Sequence, residues 1–188
     1  KICDYTLEEL FKLDFGSWYN IKYPNLARQS FYGLDILTLE DLIKIAEGFR
    51  IKRNNNKRLF HKKENRIITE YEPDPYDNGN RPGIYLEIKY SNLYPDIEKD
   101  LKDELERLGW YANNIADLKN IPTIKGQIQT ANSLVRVVIQ TTSANELKNI
   151  NTTFSRKIPF CYILSSPNNK NIQEKTYKEW INTAIQQN

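Results

Sequence analysis

Asn80-Arg81-Pro82-Gly83-Ile84-Tyr85-Leu86-Glu87-Ile88-Lys89-Tyr90, followed by the run from Pro95 to Gly109, decides the fold of this chain. Pro82-Gly83 marks a turn. Ile84, Leu86 and Ile88 then alternate with Tyr85, Glu87 and Lys89, which is the two-residue period of a strand. The aliphatic side packs on a layer, and the opposite side faces surroundings that tolerate charge. Glu87 and Lys89 project to that second side, roughly 6 to 7 Å apart at about 3.3 Å per residue. Ile97, Leu101, Leu105 and Leu108 recur at helical spacing, and Gly109 stops the helix. Strand, loop and amphipathic helix make the repeating unit of an α/β fold.

A carboxylate and an ammonium on one side of such a strand suit a charged ligand. Glu87 reads as a ligand for a hard divalent cation, Mg²⁺ or Ca²⁺, and Lys89 as a contact for phosphate oxygens at the carboxyl end of the strand. The same spacing also describes a Glu/Lys pair on the wet face of an antiparallel sheet, and both readings stand at this point.

Downstream, Leu134 to Gln140 is an apolar, β-branched run, expected as a parallel strand buried on both faces. Ser143-Ala144-Asn145-Glu146 caps a following helix, Ile158 to Leu164 is another strand, and Lys175 to Ile185 a last helix. This alternation is that of a parallel α/β protein, doubly wound or barrel. No glycine-rich phosphate loop of either common spacing occurs, which lowers a nucleotide-binding reading.

Upstream, Thr6-Leu7-Glu8-Glu9 is a capping box that opens a helix to Leu13, and Leu37-Thr38-Leu39-Glu40-Asp41 opens a second over Thr38 to Glu47, ended by Gly48. Between them Asp14-Phe15-Gly16-Ser17-Trp18-Tyr19-Asn20 reads as an aromatic loop, packed on a neighbouring surface or acting as a lid. Arg50 to Asn80 reads as a long polar surface loop with a short strand at Ile67 to Glu70. It holds the single histidine, His61, which is expected to face solvent.

With 188 residues, 39% hydrophobic and 27% charged, the chain is long enough for one core and has the composition of an ordinary globular domain. No apolar run approaches the roughly 20 residues of a membrane span. A net charge of +3 is too small to argue for a nucleic-acid partner, and the basic run Arg50 to Lys63 reads as solvated. Cys3 and Cys161 either pair or stay reduced, which leaves the compartment undecided. The chain begins at Lys1 and contains no methionine, as expected of a piece of a longer product.

Taken in order, Asp4-Tyr5-Thr6-Leu7-Glu8-Glu9-Leu10, Leu13-Asp14-Phe15-Gly16-Ser17-Trp18-Tyr19, Leu37-Thr38-Leu39-Glu40-Asp41, Pro82-Gly83-Ile84-Tyr85-Leu86-Glu87-Ile88-Lys89 and Val137-Val138-Ile139-Gln140 with Leu147 resemble the glycerophosphodiester phosphodiesterases. The resemblance runs over nearly the whole chain and is most specific in the Gly-Ser-Trp loop and the Pro-Gly-Ile-Tyr-x-Glu-Ile-Lys strand. It implies a TIM barrel, incomplete in this chain. Residues 1–36 would be a small insertion beside the barrel mouth, and 37–188 a partial barrel with a polar loop at about 50–80. It implies metal-dependent hydrolysis of small-molecule glycerophosphodiesters to glycerol 3-phosphate and an alcohol. Glu87 falls on the family's third metal-ligand position and Lys89 on its substrate-phosphate contact; Gln140, ending the next strand at the same face, is a further substrate-side candidate.

The departures are equally specific. The family's catalytic histidines, one in a His-Arg-Gly motif, and the two metal carboxylates between them are absent from this sequence, as are the last two strands of a barrel that takes about 250 residues. The chain alone is expected to be inactive and to need the rest of its own chain or partner subunits. Two other readings stand beside this one. Glu87-x-Lys89 with Asp74 or Asp77 upstream also resembles the metal site of restriction-type nucleases, and a non-catalytic scaffold subunit would keep the surface without its chemistry.

Overall fold

The computed structural model describes residues 2–76, 83–111, 137–155, 158–163 and 177–186. The chain divides into two compact units, Lys1–Asn80 and Arg81–Asn188.

The first unit opens with α1 (Leu7–Leu10), α2 (Ser17–Lys22) and α3 (Leu39–Ala46). Both expected capping boxes form. The Thr6 hydroxyl accepts from Glu9 N while the Glu9 carboxylate accepts from Thr6 N, and Thr38 and Asp41 repeat the exchange. Gly48 ends α3 at φ +91°, in the left-handed region glycine allows. The Gly-Ser-Trp segment, expected as a loop, is helical. Asp14 receives the Gly16 and Ser17 amides at 2.9 and 2.8 Å and so caps α2 from outside it.

The stretch expected as a surface loop is a set of antiparallel pairs. β1 (Phe49–Ile51) pairs with β6 (Tyr71–Pro73), β2 (Arg53–Asn54) with β3 (Lys57–Arg58), and β4 (Phe60–Lys63) with β5 (Arg66–Thr69). Asn55-Asn56 and Glu64-Asn65 all take positive φ, as the two-residue turns of tight hairpins require. α3 packs on β1 within the first unit.

The core of this unit holds an ion network. Arg58 donates to Asp41 at 2.6 Å, Asp35 at 2.7 Å, Thr69 at 3.1 Å and the Ile36 carbonyl at 2.9 Å, and Tyr71 donates to the other Asp41 oxygen at 2.7 Å. Burial works against charge on Arg58, yet Asp35 and Asp41 hold its pKa above the usual value. Burial likewise opposes charge on Asp35, where Arg58 and Arg53 prevail and lower the pKa.

In the second unit β7 (Ile84–Glu87), β8 (Val137–Thr141) and β9 (Phe160–Tyr162) form a parallel sheet in sequence order. α4 (Ile97–Arg107) follows β7, α5 (Ala144–Thr153) follows β8, and α6 (Tyr177–Gln186) lies after β9. This is the expected strand-helix alternation, and Gly109 at φ +73° stops α4 as its position predicts. α5 packs on β8 and β9, and α4 packs on α5. Ile84, Val137, Ile139, Leu105, Leu147 and Phe154 are buried together with Trp110 and Tyr111. β8 differs from the two-sided burial expected of it: Val137, Ile139 and Thr141 are buried, whereas Val138 and Gln140 are half-buried.

The fold is therefore mixed α/β with small sheets. Among the described residues there is no closed barrel, because three parallel strands with helices on one side cannot curve back on themselves. No helix among them is long and apolar enough to cross a membrane. The turn at Asn80 to Pro82, Asp77, the start of the β8 run at Leu134 to Arg136 and the Ser165 to Asn171 loop lie outside the described residues.

Candidate functional site

The side of the parallel sheet opposite α5 brings the sequence candidates together. Alternation along β7 buries Ile84 and leaves Tyr85 and Glu87 exposed, and the next residues repeat it with buried Ile88 and exposed Lys89. Parallel pairing sets Glu87 opposite Gln140 and Gln140 opposite Cys161, one row across three strands. Adjacent strands stand about 4.8 Å apart, so the Glu87 and Gln140 side chains are neighbours on one face. The row ends the strands at their carboxyl ends, where open parallel sheets place ligands.

Lys89 Nζ lies 3.4 Å from Glu87 Oε2, with the lysine side chain 65% exposed and the glutamate 28%. The 6 to 7 Å expected along the backbone closes to an ion pair because Lys89 folds back over the strand end. Ile88 N still donates to Gln140 O at 3.0 Å, and Tyr90 turns left-handed at φ +56° to leave the sheet. Lys89 thus sits where the ladder stops, with its ammonium held by Glu87.

One residue on this face escaped the sequence reading. Cys161 ends the row, and its hydrogen bond raises the pKa of Tyr85. The signal was available in the alternation of Phe160-Cys161-Tyr162, but the register that aligns it with Gln140 was not. Both cysteines are free thiols and exposed.

The row supplies one carboxylate and one amide oxygen. A hard cation asks for six or more oxygens, commonly with more than one carboxylate. Among the described residues no three of His, Cys, Asp and Glu gather around one point. These residues alone do not make up a cation site, and Glu87 could supply one arm of it at most. Asp74, weighed as a nuclease ligand, turns its Oδ1 to Tyr76 N at 2.9 Å.

His61 is exposed on β4, paired across the hairpin with Ile68. The basic run around it is largely matched by acids: Arg50 with Glu72, Lys52 with Glu70, Arg53 and Arg58 with Asp35, and Lys62 with Glu8.

No protein-family model matches the chain. Over 104 residues, 55% of its length, the chain is 34% identical to a protein of Bacillus subtilis (strain 168) named glycerophosphodiester phosphodiesterase. That match spans 25% of the Bacillus protein, so the similarity covers about a quarter of the relative's length.

Proposed function

We propose that this chain is part of a glycerophosphodiester phosphodiesterase, a hydrolase of phosphoric diesters, and that its parallel sheet is a sector of a TIM barrel. The observation that carries the reading is the register: Glu87 and Gln140 are partners at the carboxyl ends of adjacent parallel strands, with Lys89 next on the same side. In a barrel, helices cover the outside of the sheet and active-site residues sit at the carboxyl ends of the strands. The similarity to the Bacillus protein supports the same reading.

The roles follow from the side chains. Lys89 offers a compact positive charge to the phosphate oxygens of a glycerophosphodiester such as glycerophosphocholine. Glu87 holds that ammonium at the strand end and could offer one arm to a divalent cation, Mg²⁺ or Ca²⁺. Since the described residues gather no further ligands around it, no step is routed through a cation. Gln140 presents an amide N–H donor beside them. Among the described residues this face carries no histidine to transfer protons, a contribution of about 10² to 10⁴-fold in enzymes of this kind. We therefore infer that the chain alone is inactive and that activity requires the rest of a longer chain or partner subunits.

The test is Glu87→Gln in the full-length protein, assayed for release of glycerol 3-phosphate from glycerophosphocholine with added Mg²⁺ or Ca²⁺. A loss of turnover is expected; unchanged turnover removes Glu87 from the site.

A further inference from the structure

A polar cavity lies in the second unit, beyond the carboxyl ends of β7 and β8 and on the side of the helices. Its volume is about 420 Å³, and its walls are the loop from Tyr90 to Asp96, the start of α4 and the first turns of α5. Glu87, Lys89 and Gln140 do not line it. Alternation accounts for the separation: Gln140 belongs to the face opposite α5, so Thr141 points the other way, into the helices.

Among the described residues the lining carries Asp96, Glu98 and Glu146 and no lysine, arginine or histidine. Glu98 is 7% exposed and Glu146 2%. One Glu146 oxygen accepts from the Thr141 hydroxyl at 2.6 Å, but the other, Oε1, is buried with no hydrogen-bond partner among the described residues. Ser143 N, which a capping-box glutamate would normally receive, donates to Thr141 Oγ1 instead at 3.1 Å. Asn149 bridges toward the second carboxylate, its Nδ2 donating to Glu98 Oε1 at 3.3 Å. A buried carboxylate oxygen without a donor is costly. A cation bound there relieves that cost.

We infer that this cavity is a divalent-cation site in which Glu98 and Glu146 supply the charge, and that its ion is Ca²⁺. The donors on its walls are carboxylate, amide and hydroxyl oxygens, the set that hard cations take, and there is no thiol or imidazole for a softer metal. With two buried carboxylates rather than three, amide oxygens and water complete the shell. Calcium is favoured over magnesium because the donors come from two helices and a loop around a roomy opening, and Ca²⁺ accepts irregular shells of six to eight oxygens where Mg²⁺ demands a near-ideal octahedron.

The probe is calcium chloride, with magnesium chloride as the second arm, titrated calorimetrically into the chelator-treated 188-residue chain. A Kd on the order of 10⁻⁴ to 10⁻³ M is expected from so few charges, with calcium bound more tightly than magnesium. Glu146→Gln preserves shape and the acceptor for Thr141, and it should weaken binding by roughly tenfold or more, as should Glu98→Gln. Asp103→Asn, an exposed acid of α4 outside the cavity, should leave the affinity within about twofold. Circular dichroism checks that each variant is folded, and Glu98→Gln decides if Glu146→Gln is not. Absence of calcium heat, unchanged affinity in both cavity variants, or a loss as large in Asp103→Asn as in Glu146→Gln overturns the assignment. None of these outcomes depends on diesterase activity.

Discussion

Lys89 Nζ stands 3.4 Å from Glu87 Oε2, so the ammonium and the carboxylate of the central strand form an ion pair with each other. With Lys89 mostly exposed the pair itself is weak, and a phosphodiester at the strand end can draw the ammonium away from it. On the function proposed above, Lys89→Ala in the full-length protein removes one charged contact to the substrate, about 1.5 to 3 kcal/mol, or roughly ten- to a hundredfold in kcat/KM. Lys89→Arg keeps the charge but alters its shape and should recover only part of the loss. Steady-state kinetics on glycerophosphocholine give the answer. A kcat/KM for Lys89→Ala within about twofold of the parent would take Lys89 out of the substrate site.

Arg58 and Asp41 are both buried in the first unit, and Arg58 also stacks on the Phe11 ring at 4.0 Å. Replacing Arg58 with Met keeps the stem and leaves the Asp41 carboxylate with the Tyr71 hydroxyl and Thr38 N as its donors. Removing one partner of a buried pair costs about 3 to 5 kcal/mol, so Arg58→Met should lower the urea midpoint of this unit steeply. Tyr71→Phe removes one hydrogen bond to the same carboxylate and should cost about 1.5 to 3 kcal/mol. A cost for Arg58→Met below that for Tyr71→Phe would show that the network does not hold the unit together.

Much of the fold was legible in local chemistry. The two capping boxes, Gly48 and Gly109 as helix stops, and the period of Ile84 to Lys89 all act within a few residues, and each appears where its spacing placed it. What failed depends on distant partners or on backbone angle. Asn54-Asn55-Asn56 reads as loop because composition reports polarity, whereas the left-handed φ of Asn55 and Asn56 makes it a hairpin turn. Arg58 reads as surface because arginine is usually exposed, and its acids Asp35 and Asp41 lie 23 and 17 residues away. Glu87 and Lys89 were nameable from alternation. The row joining Glu87, Gln140 and Cys161 needed strand register, which no local pattern encodes.

Gly16 has no room for a side chain. A Cβ there would stand 2.0 Å from the Phe31 carbonyl oxygen and 3.1 Å from Leu34 Cβ, so the backbone itself would have to move. Gly33 offers the contrast: its φ is +71°, but nothing lies within 4 Å of the added carbon. Gly33→Ala should cost the left-handed penalty, about 1 to 2 kcal/mol. Gly16→Ala should cost at least as much, up to about 3 kcal/mol of overpacking, and should also shift the emission of nearby Trp18 as α2 is displaced. Urea titration of the two variants side by side checks the order. A Gly16→Ala variant as stable as the parent would mean that the Phe31 turn yields freely.

Asp14 ties the same region to pH. Its carboxylate takes the Ser17 hydroxyl, the Ser17 and Gly16 amides and, at 3.0 Å, the Gly33 amide. These bonds, that of the Ser17 hydroxyl foremost, lower its pKa from 3.8 to about 2. A depressed carboxylate contributes stability that is complete above the unfolded value and disappears as pH falls through the folded one. Its window is therefore from just above 3.8 down to about 2. Glu8, held by Lys62, and Glu9, held by Thr6, are shifted in the same direction and steepen the same acid limb. Asp14→Asn cannot ionise, so it should be less stable than the parent near neutral pH, and the gap should narrow through that window. Melting temperatures of both proteins from about pH 6 to about pH 2 measure the gap directly. A gap that stays constant over this range would mean that Asp14 acts through shape and not through charge.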